Sequence, residues 1–191
     1  NCICFLLLLH YIYMTSKKII LASKSPRRQK LLKELEVDFE IKTKDVEEVY
    51  PSELNKQEVA IYLSELKANA FKDELKADEI IITSDTIVCL ENRIIGKPKD
   101  SQDAFNMLSD LSGKMHEVIT AVTLMSLAKT VTFFDVTEVY FKELSSQEIK
   151  RYIDKYQPFD KAGSYGIQEW IGYIGIEKIV GSYHNVMGFP V

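Results

Sequence analysis

The feature that most constrains this chain is a short apolar run that breaks into Ser23-Lys24-Ser25-Pro26-Arg27-Arg28. The run, Ile19-Ile20-Leu21-Ala22, reads as a buried strand. Beyond the break, Leu31, Leu32 and Leu35 recur at helical spacing. Ser25 then falls at an N-cap, and Pro26 at the first helical position, where its missing N–H costs nothing. A helix start carries unsatisfied N–H groups and partial positive charge, and so attracts anions, phosphate above all. Arg27 and Arg28 add charge that no physiological pH removes. The same six residues also read as ordinary capping beside a solvated basic pair, and local pattern does not separate the two readings.

The rest of the chain alternates strand and helix signals. Phe39 to Thr43 predicts a strand, followed by an acidic loop over 45–51. Asn55 and Glu58 form a capping-box pair opening a helix to about Leu75, with Val59, Tyr62, Leu63, Leu66 and Ala70 as its apolar stripe. Glu79 to Ser84 predicts a central strand that runs into Asp85-Thr86, with Ile87 to Leu90 following. Glu91-Asn92 turns it back through Arg93 to Gly96. Asp100 caps a helix with Ala104, Met107, Leu108 and Leu111 inward, closed by Ser112-Gly113. Residues 117–127 and 130–141 predict two long antiparallel strands. Ser145 and Glu148 cap a further helix, with Ile149, Tyr152, Ile153 and Tyr156 inward. Residues 160–191 are glycine-rich and predict loops, with short strands at 174–176 and 178–180. This order argues for an α/β or α+β fold, a mixed curved β-sheet with flanking helices.

At 191 residues the chain suits one large domain or two small lobes. Its net charge of −4 argues against a nucleic-acid surface, which needs a basic patch. The cysteines, Cys2, Cys4 and Cys89, suggest no disulfide framework. His10, His116 and His184 lack metal-ligand spacing. The apolar stretch Ile3 to Leu9 is too short to span a bilayer and lacks the flanks of a secretory signal. The first methionine is Met14, so residues 1–13 are expected to be an extraneous leader and 14–191 the domain.

Asp85 follows a buried strand, the kind of place where α/β sheets put ligands. It suits proton transfer from water or a divalent cation, or else simple backbone bonding in a turn. Lys67 and Lys97 would join Arg27 and Arg28 as four cations, a number that suits a triphosphate. So much ligand charge invites magnesium, usually held by one or two carboxylates plus substrate phosphates. Glu48 and Asp85 are the carboxylates nominated for it, with an exposed acidic loop as the alternative for Glu48. Gln168, in Asp160-Lys161-Ala162-Gly163-Ser164-Tyr165-Gly166-Ile167-Gln168-Glu169, carries a donor and an acceptor suited to a base edge. The alternative is a tight structural loop.

With these pieces in order, the chain from Lys18 to Val191 resembles the Maf family of nucleoside triphosphate pyrophosphatases. The carriers are Ser23 to Arg28, Ser84-Asp85-Thr86, Gly96 to Asp100, Leu111 to Lys114, Asp160 to Gln168 and the ending Gly181 to Pro190. The resemblance implies two lobes around a cleft, similar to inosine triphosphatases. It implies hydrolysis of dTTP and UTP, with modified pyrimidine nucleotides also in range, to the monophosphate and pyrophosphate with Mg2+ or Mn2+. It puts Asp85 on the proton acceptor; Lys67 and Lys97 are nominated for catalysis beside it, holding the triphosphate and stabilising charge as pyrophosphate leaves. Ser23, Ser25, Arg27, Arg28, Thr86 and Gln168 become substrate contacts, and Arg27, Thr86 and Gln168 bear on base choice. Gly-Ile-Gln looks like the dTTP/UTP branch. The family implies a cytoplasmic enzyme that uses neither nucleic acid nor membrane, with a homodimer left open. Members continue into a C-terminal helix that this sequence does not show. A non-catalytic nucleotide-binding regulator of cell division is the rival reading. A phospho-aspartyl hydrolase fits less well, for want of an Asp-x-Asp motif.

Overall fold

The computed structural model describes residues 17–191, so the leader expected over 1–13 and the expected domain start at Met14 lie outside the described residues. Among the described residues seven strands are seen: β1 (Lys18–Leu21), β2 (Phe39–Ile41), β3 (Glu79–Leu90), β4 (Arg93–Ile95), β5 (Met115–Met125), β6 (Thr130–Phe141) and β7 (Ile176–Val180). The helices are α1 (Pro26–Glu34), α2 (Lys56–Asn69), α3 (Ser101–Leu111), α4 (Ser146–Tyr156), α5 (Trp170–Gly175) and α6 (Tyr183–Met187). The strands form one mixed sheet in the order β2-β1-β3-β5-β6-β7, with β4 also on β3. β1 runs parallel to β2 and β3, while β4 and β7 run antiparallel to β3 and β6. The mixed α/β sheet expected from the sequence is therefore observed.

The chain divides into two compact units. The first holds the described residues up to Asp85, with Thr120–Asp135 and Gly188–Val191. The second holds Thr86–Ile119 and Val136–Met187. In the first, α2 lies on the sheet through small residues. Val59 and Leu63 are buried as expected, but Ala60, Ser64 and Ala68 are buried where Tyr62, Leu66 and Ala70 are only half-buried. Small side chains let the helix approach the strands, and buried hydroxyls lock it there. Thr83 Oγ1 donates to Ser64 O at 2.7 Å, and Ser64 Oγ meets Thr123 Oγ1 at 2.9 Å. The helix stops at Asn69, short of Leu75, because Phe71 turns into the core beside Ile20, Ile81 and Met125. A 3-10 turn over Lys72–Glu74 follows.

The second unit packs α3 on α4. Ala104, Leu108 and Leu111 join Ile149, Tyr152 and Ile153 in its core. The caps are those expected. Asp100 Oδ1 accepts from the Asp103 N–H at 2.8 Å, and Ser145 and Glu148 bond reciprocally. Each such cap is worth about 1 kcal/mol.

Two findings differ from the sequence reading in this unit. Ile174 and Gly175 lie in α5 rather than in a strand, and α6 occupies a stretch expected to be loop. Glycines disfavour helix, but Asn185, fully buried, holds α6 by donating to Val118 O and Thr137 Oγ1, each at 2.9 Å.

One core group of this unit is titratable. His116 is fully buried, edge-on to Phe141 and Tyr165, with Nε2 at 2.7 Å from Tyr165 Oη. Burial lowers its pKa from 6.5 to about 4. The unfolded chain therefore binds a proton on acidification that the folded chain refuses. Stability is intact above pH 6.5 and falls between there and about pH 4, by about 2 kcal/mol at pH 5 from this residue. Urea unfolding at pH 7 and pH 5 should show that loss in the wild type and a smaller one in His116→Gln.

Candidate active site

The first unit gathers Ser84, Asp85, Lys67, Glu48 and Arg28. Asp85 lies in the middle of β3, not at a strand end. Side chains two apart on a strand share a face, and residues three apart on a helix are neighbours. Thr83 bonds Ser64, so the next positions, Asp85 and Lys67, are brought together. Lys67 Nζ donates to Asp85 Oδ1 and lies 2.9 Å from Glu48 Oε1. The Asp85 side chain is 8% exposed and that of Lys67 20%, while Glu48 at 41% stands open to solvent. A nearly dry carboxylate, its counter-charge and a second, wetter carboxylate thus converge on one point. One face of this group is wet and the other is core.

The Ser23–Arg28 stretch is built as expected, with one difference. Ser25 is the N-cap of α1 and Pro26 its first residue, but the Ser25 side chain makes no capping bond. Ser23 Oγ instead accepts the Ser25 N–H at 3.2 Å. Arg28 is turned inward. Its Nε donates to Gly188 O at 2.8 Å and its Nη1 to Ser84 O at 2.7 Å, and Ser84 Oγ donates to the same Gly188 oxygen at 3.1 Å. Burial lowers the Arg28 pKa, while the fields of Asp85 and Glu48 raise it. Arg28 thus joins α1, β3 and the Gly188 segment, a framing role that the sequence did not signal.

Thr86, Lys97 and Gln168 belong to the second unit. Lys97 is exposed in the loop after β4. The Gly163 N–H donates to Gly96 O at 3.0 Å, which ties that loop to the segment carrying Gln168. Gln168 is only part-exposed, and its Oε1 is buried with no hydrogen-bond partner among the described residues. A buried acceptor left unpaired is costly and asks for a donor. Around it stand groups that sequence reasoning did not connect. Tyr152 Oη donates to Glu169 Oε2, and Lys161 Nζ lies 3.1 Å from Glu169 Oε1. Tyr152 was readable only as an inward position of α4, and Lys161 and Glu169 only as members of the glycine-rich stretch.

The family description "Maf-like protein" matches residues 18–191. This chain belongs to the Maf family. A dTTP/UTP pyrophosphatase of Flavobacterium johnsoniae is 55% identical to this Maf chain over 173 residues, covering 91% of it and 89% of the relative. A dTTP/UTP pyrophosphatase of Phocaeicola vulgatus is 53% identical over 175 residues, covering 91% of each. Among solved structures, a dITP/XTP pyrophosphatase of Mycobacterium abscessus aligns at 14% identity and TM-score 0.41, covering 65% of this chain and 74% of that one. The Ham1 protein of Staphylococcus aureus aligns at 18% identity and TM-score 0.43, covering 65% and 72%.

Among the described residues no three His, Cys, Asp or Glu side chains cluster as a self-sufficient metal site. Glu48 and Asp85 converge on Lys67 as a pair of hard oxygen donors. That set fits Mg2+ or Mn2+ if the substrate's phosphates complete the coordination. Among the described residues no helix is long and apolar enough to cross a membrane.

Proposed function

We propose that this protein hydrolyses dTTP and UTP to the monophosphate and pyrophosphate. The observation that carries the reading is Asp85, nearly dry in mid-strand, held by Lys67 beside Glu48. Two relatives above 50% identity, named dTTP/UTP pyrophosphatases, support the substrate class. Water attacks the α-phosphorus. A P–O bond to water forms, the P–O bond to pyrophosphate breaks, and the water proton passes to the Asp85 carboxylate. Lys67 holds Asp85 aligned through their hydrogen bond. Glu48 and Asp85 would hold the divalent cation, which neutralises phosphate charge when bound. Ser23, Ser25, Arg27 and Lys97 serve the phosphates, while Arg28 chiefly fixes the frame on which they stand. Positioning and electrostatics do most of the work in such displacements.

Gln168 reads the base in this scheme, and Thr86 is the neighbouring contact. Uracil and thymine carry an N–H flanked by two carbonyls, and an amide can meet one of each. Cytosine presents an acceptor where that N–H stands, so a Gln168 oxygen fixed toward N3 meets a lone pair in place of a donor. Gln168→Ala should therefore lower the kcat/KM ratio of UTP over CTP by about tenfold. Pyrophosphate release from a panel of canonical and modified nucleotides, with Mg2+ and Mn2+, tests both claims. Saturable binding of UTP without pyrophosphate would replace the enzyme by a nucleotide-binding regulator.

A further inference from the structure

Residues 166–169 form a turn in which the Glu169 N–H donates to Gly166 O at 3.0 Å. Ile167 and Gln168 are its two central residues. Both ends of the turn are held by one phenol oxygen. Tyr152 Oη accepts the Gly166 N–H at 3.0 Å and donates to Glu169 Oε2. Lys161 Nζ takes the other oxygen, Glu169 Oε1, at 3.1 Å, and Asp160 Oδ1 at 2.7 Å. Tyr152 is fully buried, and Lys161 is 8% exposed.

The backbone is pinned as well. The Gly172 N–H donates to Glu169 O at 2.9 Å. A Cβ on residue 172 would lie 1.8 Å from the Ile167 carbonyl oxygen, and one on residue 166 would lie 2.8 Å from the Glu169 carboxyl carbon. Both glycines are there because something must come that close.

A buried ammonium, carboxylate and phenol are a costly way to hold a loop that apolar packing could hold. What they add is direction. Hydrogen bonds fix the orientation of the turn to within a narrow range, and a group that discriminates between bases must be held in that way. We propose that Tyr152, Glu169 and Lys161 are positioning residues that set the turn and thereby decide which base Gln168 accepts. The proposal rests on the reading of Gln168 as the base contact, and Gly172 serves the same end by giving Ile167 room.

The test measures kcat and KM for UTP, dTTP, CTP and GTP, with an unfolding midpoint for every variant. Tyr152→Phe and Glu169→Gln should each lower the UTP-over-CTP ratio of kcat/KM by about tenfold. The change should lie mainly in KM for UTP, with kcat within about threefold of wild type. Lys161→Met should behave alike, while Lys161→Arg, which keeps the charge, should recover most of the ratio. Gly172→Ala should shift the ratio without removing any polar group. If Tyr152→Phe does not fold, Glu169→Gln and Lys161→Met decide. Folded variants that slow all nucleotides equally, leaving the ratio intact, mark a purely structural network and overturn the proposal. Gln168→Ala separates the two layers. If it alone changes the ratio, base reading stands and the positioning claim fails. If it leaves the ratio unchanged, base reading fails and takes the positioning claim with it.

Discussion

Asp85→Asn is expected to fold and to lose about 10²- to 10⁴-fold in kcat, the usual size of general-base assistance. The amide keeps the size of the carboxylate and can still accept from Lys67 Nζ, so the hydrogen bond between α2 and β3 need not be broken. What disappears is the capacity to take a proton, and with it the charge of one of the two carboxylates suited to a divalent cation. KM for UTP should change less than kcat, because the phosphate contacts assigned to Ser23, Ser25, Arg27 and Lys97 are untouched. Steady-state pyrophosphate release at saturating UTP, beside a circular dichroism spectrum of the variant, measures this directly. Turnover within threefold of wild type would remove Asp85 from the role of base.

Lys67→Met is expected to cost stability as well as activity, at about 3 kcal/mol. Removing one partner of a buried pair typically costs about 3–5 kcal/mol, because the other charge is left dry and unpaired. The lower end applies since the Lys67 side chain is 20% exposed, so water already reaches the pair. Glu48, at 41% exposed, can be rehydrated and adds little. The sharper measurement is a double-mutant cycle in urea. Lys67→Met with Asp85→Asn in the same chain should be more stable than Lys67→Met alone, since the unpaired charge is gone. Strict additivity of the two losses would mean that the pair is not coupled.

How far the sequence could be read depended on range. Local signals read correctly. Asn55 with Glu58, Asp100, and Ser145 with Glu148 each placed a helix start, because a cap is decided within four residues. The apolar run from Glu79 to Ser84 located the first half of the central strand, which continues without a break to Leu90. What failed was decided by distant partners. Helix α6 is held by Asn185 bonding to Val118 and Thr137, and nothing near Tyr183 announces it. Phe71 ended α2 by turning toward Ile20 and Ile81. At the candidate site the residue types were legible, but their roles were divided differently. Arg28 was expected chiefly to meet phosphate, yet two of its donors serve Gly188 and Ser84. Asp85 was expected at a strand end, yet it lies mid-strand, where alternation and the Ser64–Thr83 bond aim it at Lys67. A carbonyl acceptor 160 positions away leaves no mark on the sequence around an arginine.

That last separation bears on how the protein is made. Arg28 leaves the ribosome 160 residues before the carbonyl that accepts from it. At about 5–20 residues per second, the interval is on the order of 10–30 s. The first unit also needs β3 to Asp85 and the pieces 120–135 and 188–191 before it is whole. The second unit, likewise discontinuous, is complete at Met187, one residue before the first receives its last piece. Through that interval the acceptor of Arg28 Nε has not yet been made. Closure of the first unit is a late, long-range event, of the kind that slows folding. A nascent chain arrested just before Gly188 should hold Arg28 through Ser84 O alone, without the acceptor that fixes its Nε.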